Sequence, residues 1–170
     1  PEHPYLKRKC LPVFPGLRQL TRDVKYEIDP EDGPKVARKG ALVVPMYHAT
    51  ADRPVLVGVQ FIRTDGVKMF LKGTPKARAF HPIGKPPEEG ADIFIAEGYA
   101  TAARVHAAVG TRTFAAFDTG NLKPVVQVLA KKYPRSRFIF MADNDRFTMK
   151  PVENPGVHFA REAAALVSGV

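Results

Sequence analysis

From Ala91 onwards three short apolar runs alternate with three helical patterns, and that alternation constrains the fold more than any other feature. The runs are ADIFIA (91–96), TRTFAAF (111–117) and SRFIFMA (136–142); between and after them come YATAARVHAAV (99–109), NLKPVVQVLAKKY (121–133) and GVHFAREAAALVS (156–168). Continuous apolar runs of strand length suit sheet centres covered on both faces, while Ala, Val and Leu at helical spacing suit the covering helices. The pattern predicts a parallel α/β unit with right-handed crossovers over 90–170.

The preceding half reads differently. ALVVPMY (41–47), VLVGVQFI (55–62) and VKMFLK (67–72) are separated by ATADRP and TDG, which predicts an antiparallel meander in a small β-rich lobe over 1–89. HPYLKRKC (3–10) reads as a short helix and VKYEI (24–28) as a short strand. The stretch 73–90 is rich in Gly and Pro and reads as a connecting loop, with the boundary near Glu89. At 170 residues this makes one domain or two small packed lobes.

Charge and cysteine usage narrow the function. Twenty-six Lys and Arg against seventeen Asp and Glu give a net +9, with +6 in residues 1–90 and +3 in 91–170, a balance that attracts polyanions. The single Cys10 excludes an intramolecular disulfide framework, and five histidines without ligand spacing argue against a structural zinc site. No apolar run reaches the roughly 18–20 residues a membrane helix needs, and no hydrophobic signal core opens the chain. A cytoplasmic setting with no membrane partner is expected.

In an open parallel sheet, ligands sit beyond the carboxyl ends of the strands where strand order reverses. Here all three exits are acidic: Glu97-Gly98, then Asp118-Thr119-Gly120-Asn121, then Asp143-Asn144-Asp145. If the first and third strands are neighbours, Glu97 meets the Asp143/Asp145 pair. Clustered carboxylates repel unless a cation lies between them, and Mg²⁺ or Mn²⁺, which take oxygen ligands and retain water, are the natural choice. The structural alternative is helix and turn capping. DTGNL has the form of a capping signature, with Thr119 or Asn121 the cap and Asp118 structural, and Glu153 before the last helix suits the helix dipole. Both Asp118 and Glu153 stay possible additional acidic residues of the site. Tyr99 reads as helix packing.

Three stretches, IFIAEGYATA (93–102), GTRTFAAFDTGNL (110–122) and FIFMADNDRF…NPGVHFAREAA (138–164), resemble the Toprim domain of bacterial-type primases and topoisomerases. The likeness is nearest to primases of phages and mobile plasmids. HPYLKRK (3–9), residues 41–73 and AFHPIG (79–84) resemble the lobe that precedes Toprim in those primases and select primase over topoisomerase. The resemblance implies a Toprim-like parallel sheet flanked by helices, with Glu97, Asp143 and Asp145 as metal-binding catalytic residues. It also implies a single-stranded DNA template, ribonucleoside triphosphates and a helicase, fused or separate, as partners. The zinc module and the further acidic strand usual in such primases are missing from this sequence, and the chain is expected to be a piece of a longer protein.

Lys68, Lys72, Lys76 and Arg78 are assigned to holding template backbone or nucleotide, with Lys68 and Lys72 on one side of one strand; Arg146 could offset acidic charge or touch a phosphate. Two rivals use the same residues: a Toprim-type nuclease that activates water, and a non-catalytic module that binds single-stranded DNA.

Overall fold

The computed structural model describes residues 3–29, 33–50 and 53–167. Its elements in chain order are α1 (Pro4–Arg8), β1 (Arg18–Gln19), β2 (Val24–Asp29), β3 (Gly33–Ala37), β4 (Leu42–His48), β5 (Val55–Ile62), β6 (Lys68–Phe70), β7 (His81–Ile83), β8 (Ile93–Ala96), α2 (Tyr99–Val109), β9 (Thr113–Ala115), a 3₁₀ turn (Thr119–Asn121), α3 (Leu122–Lys132), β10 (Phe138–Met141) and α4 (Pro155–Ala164).

The expected meander is present: β4, β5 and β6 pair antiparallel in the order β1-β4-β5-β6. The turn between β4 and β5 and the end of the last helix, read to 168, fall partly outside the described residues. The short β1 and the Gly-Pro-bearing β3 carry too little apolar pattern to be read from sequence. Lys72 is a correction, because β6 ends at Phe70 and Lys72 lies in the turn that follows, so Lys68 and Lys72 do not share a strand.

The second sheet has the order β10-β8-β9-β7. β8 pairs in parallel with β10 on one side and β9 on the other, so the first and third strands of the alternating half are neighbours. The stretch read as a loop, 73–90, contains β7, which closes this sheet antiparallel to β9. A Tyr47–Phe80 bridge ties it to β4.

Alternation along the strands builds two cores. Ile93, Ile95, Phe114, Ala116 and Phe138 face α3 and α4, meeting Leu122, Val125, Val126, Leu129, Ala160 and Ala163. Ala96 and Ala115 face the other way, into a core shared by Tyr99, Ala102 and Ala103 of α2, Tyr5 and Leu6 of α1, and Leu42, Val44, Met46 and Ile62 of the meander. The parallel sheet therefore has helices on both faces, and its α2 face is continuous with the β-rich lobe. Tyr99 is fully buried there, consistent with its reading as packing, and burial pushes its phenol pKa up.

α1 is pinned at both ends. Tyr5 N donates to His3 Nδ1 (3.2 Å) at its start, and Arg104 of α2 donates to the Lys9 carbonyl (2.5 Å) at its end. No helix among the described residues is long and apolar enough to cross a membrane.

Candidate functional site

The carboxyl ends of β8 and β10 open side by side, which carries Glu97 and Asp143 to the same edge of the sheet. Both line a cavity of about 540 Å³ together with Tyr5 and Arg8 of α1 and Lys9 just after it, Asp65 and Lys68 around the start of β6, and Gly98, Ala100 and Thr101 at the start of α2. The lining mixes acidic side chains, Glu97, Asp143 and Asp65, with basic ones, Arg8, Lys9 and Lys68. Lys68 reaches across: a Cβ built on Gly98 would lie 3.4 Å from its Nζ, so the absence of a side chain at Gly98 gives the ammonium room beside the Glu97 backbone.

The acids act on one another electrostatically. The Glu97 carboxyl is pushed up to about 7, first by burial and then by the charges of Asp143 and Asp145, with a smaller push from Asp118 and partial relief from Lys68. A carboxyl that retains its proton near neutrality is a carboxyl short of positive neighbours.

Asp143 and Asp145 are also engaged with the protein. Thr101 Oγ1 donates to Asp143 Oδ1 at 3.4 Å, a long contact, and Gly156 N in the first turn of α4 donates to Asp145 Oδ2 at 3.2 Å. Asp145 is thus partly a cap for α4, as the structural alternative anticipated, and it does not line the cavity. Among the described residues no three His, Cys, Asp or Glu side chains form a ready-made metal cage. The donor set nevertheless fits a hard divalent cation, being made of carboxylate oxygens with unrelieved mutual repulsion; Mg²⁺ characteristically takes one or two carboxylates and completes its shell with water and substrate phosphate.

α4 starts hard against this edge. A Cβ on Gly156 would stand 2.1 Å from the Asp143 carbonyl oxygen, 2.9 Å from its carbon and 3.0 Å from Asp145 Oδ2. Only glycine permits that approach.

Asp118 is itself the cap, correcting the assignment to Thr119 or Asn121: its Oδ1 accepts from Asn121 N at 2.9 Å. It also sits 4.0 Å from Lys76, whose ammonium lies 5.1 Å from the centre of the Phe70 ring. Arg78 is exposed, and its backbone N–H donates to Asn121 Oδ1 (2.7 Å). Glu153 is exposed and lines a separate depression with His158, Arg161 and Glu162 rather than the acidic cavity. Arg146 lies 4.6 Å from the centre of the Phe147 ring.

Sequence reasoning did not nominate Tyr5, Arg8, Lys9 or Asp65 for the cavity. The available signal was HPYLKRK, a short basic helix with Pro at its first position; what the residues alone could not convey was its docking beside α2. Asn121 was also missed as a junction. Buried, it donates to the carbonyls of Ala79 (2.8 Å) and Ala116 (2.7 Å) while accepting from Arg78, locking the 76–80 segment to the exit of β9.

No family model matches the sequence. The chain is 35% identical over 169 residues to a DNA primase TraC of Escherichia coli, covering 98% of this chain and 14% of that protein. It is 44% identical over 114 residues to another Escherichia coli protein named DNA primase TraC, covering 65% of this chain and 8% of that protein. The chain spans a small fraction of the length of either relative. Among solved structures, the DnaG catalytic core superposes with a TM-score of 0.55 at 13% identity, over 96% of this chain and 57% of that one. A chain from the assembly of bacteriophage T7 lagging-strand DNA polymerase with primase domains of two gp4 subunits, bound to an RNA/DNA hybrid and dTTP, gives 0.52 at 16% identity, over 89% and 76%. The sequence relatives of this chain are DNA primases, and its fold is the α/β fold of primase catalytic cores, consistent with a Toprim-like sheet.

Proposed function

We propose that this chain is part of the catalytic core of a DNA primase, one that joins ribonucleotides on a single-stranded DNA template. The observation that carries the reading is Glu97: a carboxyl held to about 7 by burial and by Asp143 and Asp145, in a cavity that Arg8, Lys9 and Lys68 also line. Such a cavity is built for a substrate that brings both negative phosphates and a cation of its own.

Glu97 and Asp143, with Asp145 after release from Gly156 N, are the residues to hold Mg²⁺ or Mn²⁺. Bound there, the ion supplies charge neutralisation for phosphoryl transfer. The protein's own groups do the rest. Arg8, Lys9 and Lys68 bind triphosphate oxygens and orient the nucleotide, Arg8 with the fork geometry suited to phosphate. Thr101, through its hydroxyl on Asp143, fixes that carboxylate at the mouth of α2. Lys76 and Arg78, on the exposed segment leading from the β-rich lobe, lie along the approach for template backbone. A helicase, fused or separate, completes the expected partnership.

The test is primer synthesis by the full-length protein with single-stranded template, labelled ribonucleotides and Mg²⁺. Short RNA products that disappear with Glu97→Gln, while DNA affinity is retained, support the reading. Strand cutting without primers identifies a nuclease, and binding without either reaction identifies a non-catalytic module. Full priming activity in Glu97→Gln overturns the site assignment.

A further inference from the structure

The turn that leaves Asp145 presents an aromatic ring to solvent in an unusual setting. Phe147 is 83% exposed and Met149 64%, the two most exposed of the large apolar side chains among the described residues. Single exposed apolar residues are ordinary. This pair differs because its backbone is fixed. Thr148 N donates to the Asp145 carbonyl (2.7 Å), closing a turn with Arg146 and Phe147 at its centre; Asn154 N donates to the Thr148 carbonyl (2.9 Å) and Asn154 Nδ2 to Asn144 Oδ1 (2.9 Å). The ring is also accompanied, since the Arg146 guanidinium carbon lies 4.6 Å from its centre. A fixed turn beginning at a candidate site carboxylate thus holds out an aromatic ring and an arginine together, with the exposed Met149 one residue past the turn.

We propose that Phe147, with Arg146 beside its ring, is a stacking platform for an unpaired base of the DNA template. Aromatic rings bind single-stranded bases through their π-faces without regard to sequence, and an adjacent arginine adds both cation–π contact and phosphate attraction. The net charge of +9 favours a polyanion over a protein surface as the occupant. The position two residues beyond Asp145 would place the stacked base beside the acidic edge, where a template must be held still during nucleotide joining. The inference rests on the primase reading of that site and names its template contact.

The chain contains no tryptophan, so Phe147→Trp installs its one indole at the platform. With an oligothymidylate, the indole emission of the Phe147→Trp variant should be quenched, whereas an abasic oligonucleotide of equal length should leave it unchanged. Phe147→Ala should weaken oligothymidylate binding about 5- to 150-fold and leave abasic binding unaltered, because the ring contributes through bases and not through phosphates. Both variants change an exposed side chain, so the fold is retained, and circular dichroism checks it. Equal oligothymidylate affinity in Phe147→Ala and the parent chain, absence of binding altogether, or quenching by a ribonucleoside triphosphate alone overturns the proposal. Loss of priming in Glu97→Gln alongside a neutral Phe147→Ala refutes the platform but not the primase reading; base-dependent quenching in a parent protein that makes no primers refutes the primase reading but not the platform.

Discussion

Replacing Gly156 by alanine tests whether the acidic edge is held in place by the approach of α4. The added methyl carbon would stand 2.1 Å from the Asp143 carbonyl oxygen, and ordinary contact begins at 3.4 Å, so helix and strand exit must separate by about 1.3 Å. The obstacle is backbone on the Asp143 side and the hydrogen-bonded Asp145 carboxylate on the other, neither of which can swing away as a free side-chain end could. Overpacking of this kind costs about 1–3 kcal/mol. Alanine's better helix propensity returns at most about 1 kcal/mol, and less in the first turn than mid-helix. The net expectation is a loss of about 1–2 kcal/mol, or roughly 3–8 °C in Tm for a domain of this size. A second readout separates local displacement from general damage. Because Asp143 and Asp145 help hold Glu97 at about 7, moving them outward should bring the Glu97 pKa down towards its ordinary 4.5, measurable by carboxylate-carbon NMR titration. Gly120→Ala, whose methyl would meet only Asp118 at 3.6 Å, is the control. If Gly156→Ala matches the parent in stability and in the titration of Glu97, the close approach does not position the acids and the reasoning fails.

Asn121→Ala should cost about 3 kcal/mol in urea denaturation, since it strands two buried carbonyls and the Arg78 N–H. Lys68→Met should weaken nucleotide binding at least several-fold by titration and raise the Glu97 pKa further, because the Lys68 ammonium is what pulls that pKa down against the neighbouring carboxylates. Glu97 has a folded pKa above its unfolded value, so stability is lost as pH rises from about 4.5 through about 7; Glu97→Gln should therefore raise Tm at pH 8 and leave it unchanged at pH 4. Added Mg²⁺ should raise Tm at pH 8 in the parent chain and much less in Glu97→Gln, as followed by thermal denaturation.

The fold was legible where each residue's pattern had one interpretation. Apolar runs such as IFIA and FIFM admit only a doubly covered strand, and the Asp-Gly turn at 65–66 sets the hairpin from β5 to β6. β7 was not legible, because HPI carries a proline and three residues give no period; it is a strand only because β9 offers it an edge. The acids were found because strand exits are positions that topology makes functional, and β8 lying between β9 and β10 brought two of the exits together. Their conformations could not be read from sequence: whether Asp145 faces the cavity or the first turn of α4 depends on where that helix starts, which Gly156 decides through a contact 11 residues away. Two of the basic residues of the cavity escaped for a similar reason. Arg8 and Lys9 are 89 and 88 residues from Glu97 in sequence, and only the docking of α1 against α2 through the Arg104–Lys9 hydrogen bond delivers them.

Two titrations with opposite signs bear on how the molecule tolerates its site. His81, fully buried with Nδ1 paired to the Pro45 carbonyl (2.8 Å), is pushed down to about 4, mainly by burial. Its folded pKa lies below the unfolded 6.5, so the unfolded chain takes up a proton first, and stability is lost as pH falls from 6.5 through about 4. Taken alone this amounts to something on the order of 3 kcal/mol. Glu97 runs the other way across nearly the same window, by a smaller amount once solvent screening of its partly exposed carboxyl is allowed for. The two slopes offset, leaving a stability profile flatter between pH 4 and 7 than either group alone would give. Glu97→Gln removes one of them, so its profile should climb from pH 4 to 6.5 more steeply than that of the parent chain. Parallel profiles for the two proteins would mean that Glu97 does not carry its proton into the neutral range, and the repulsion attributed to Asp143 and Asp145 would go with it.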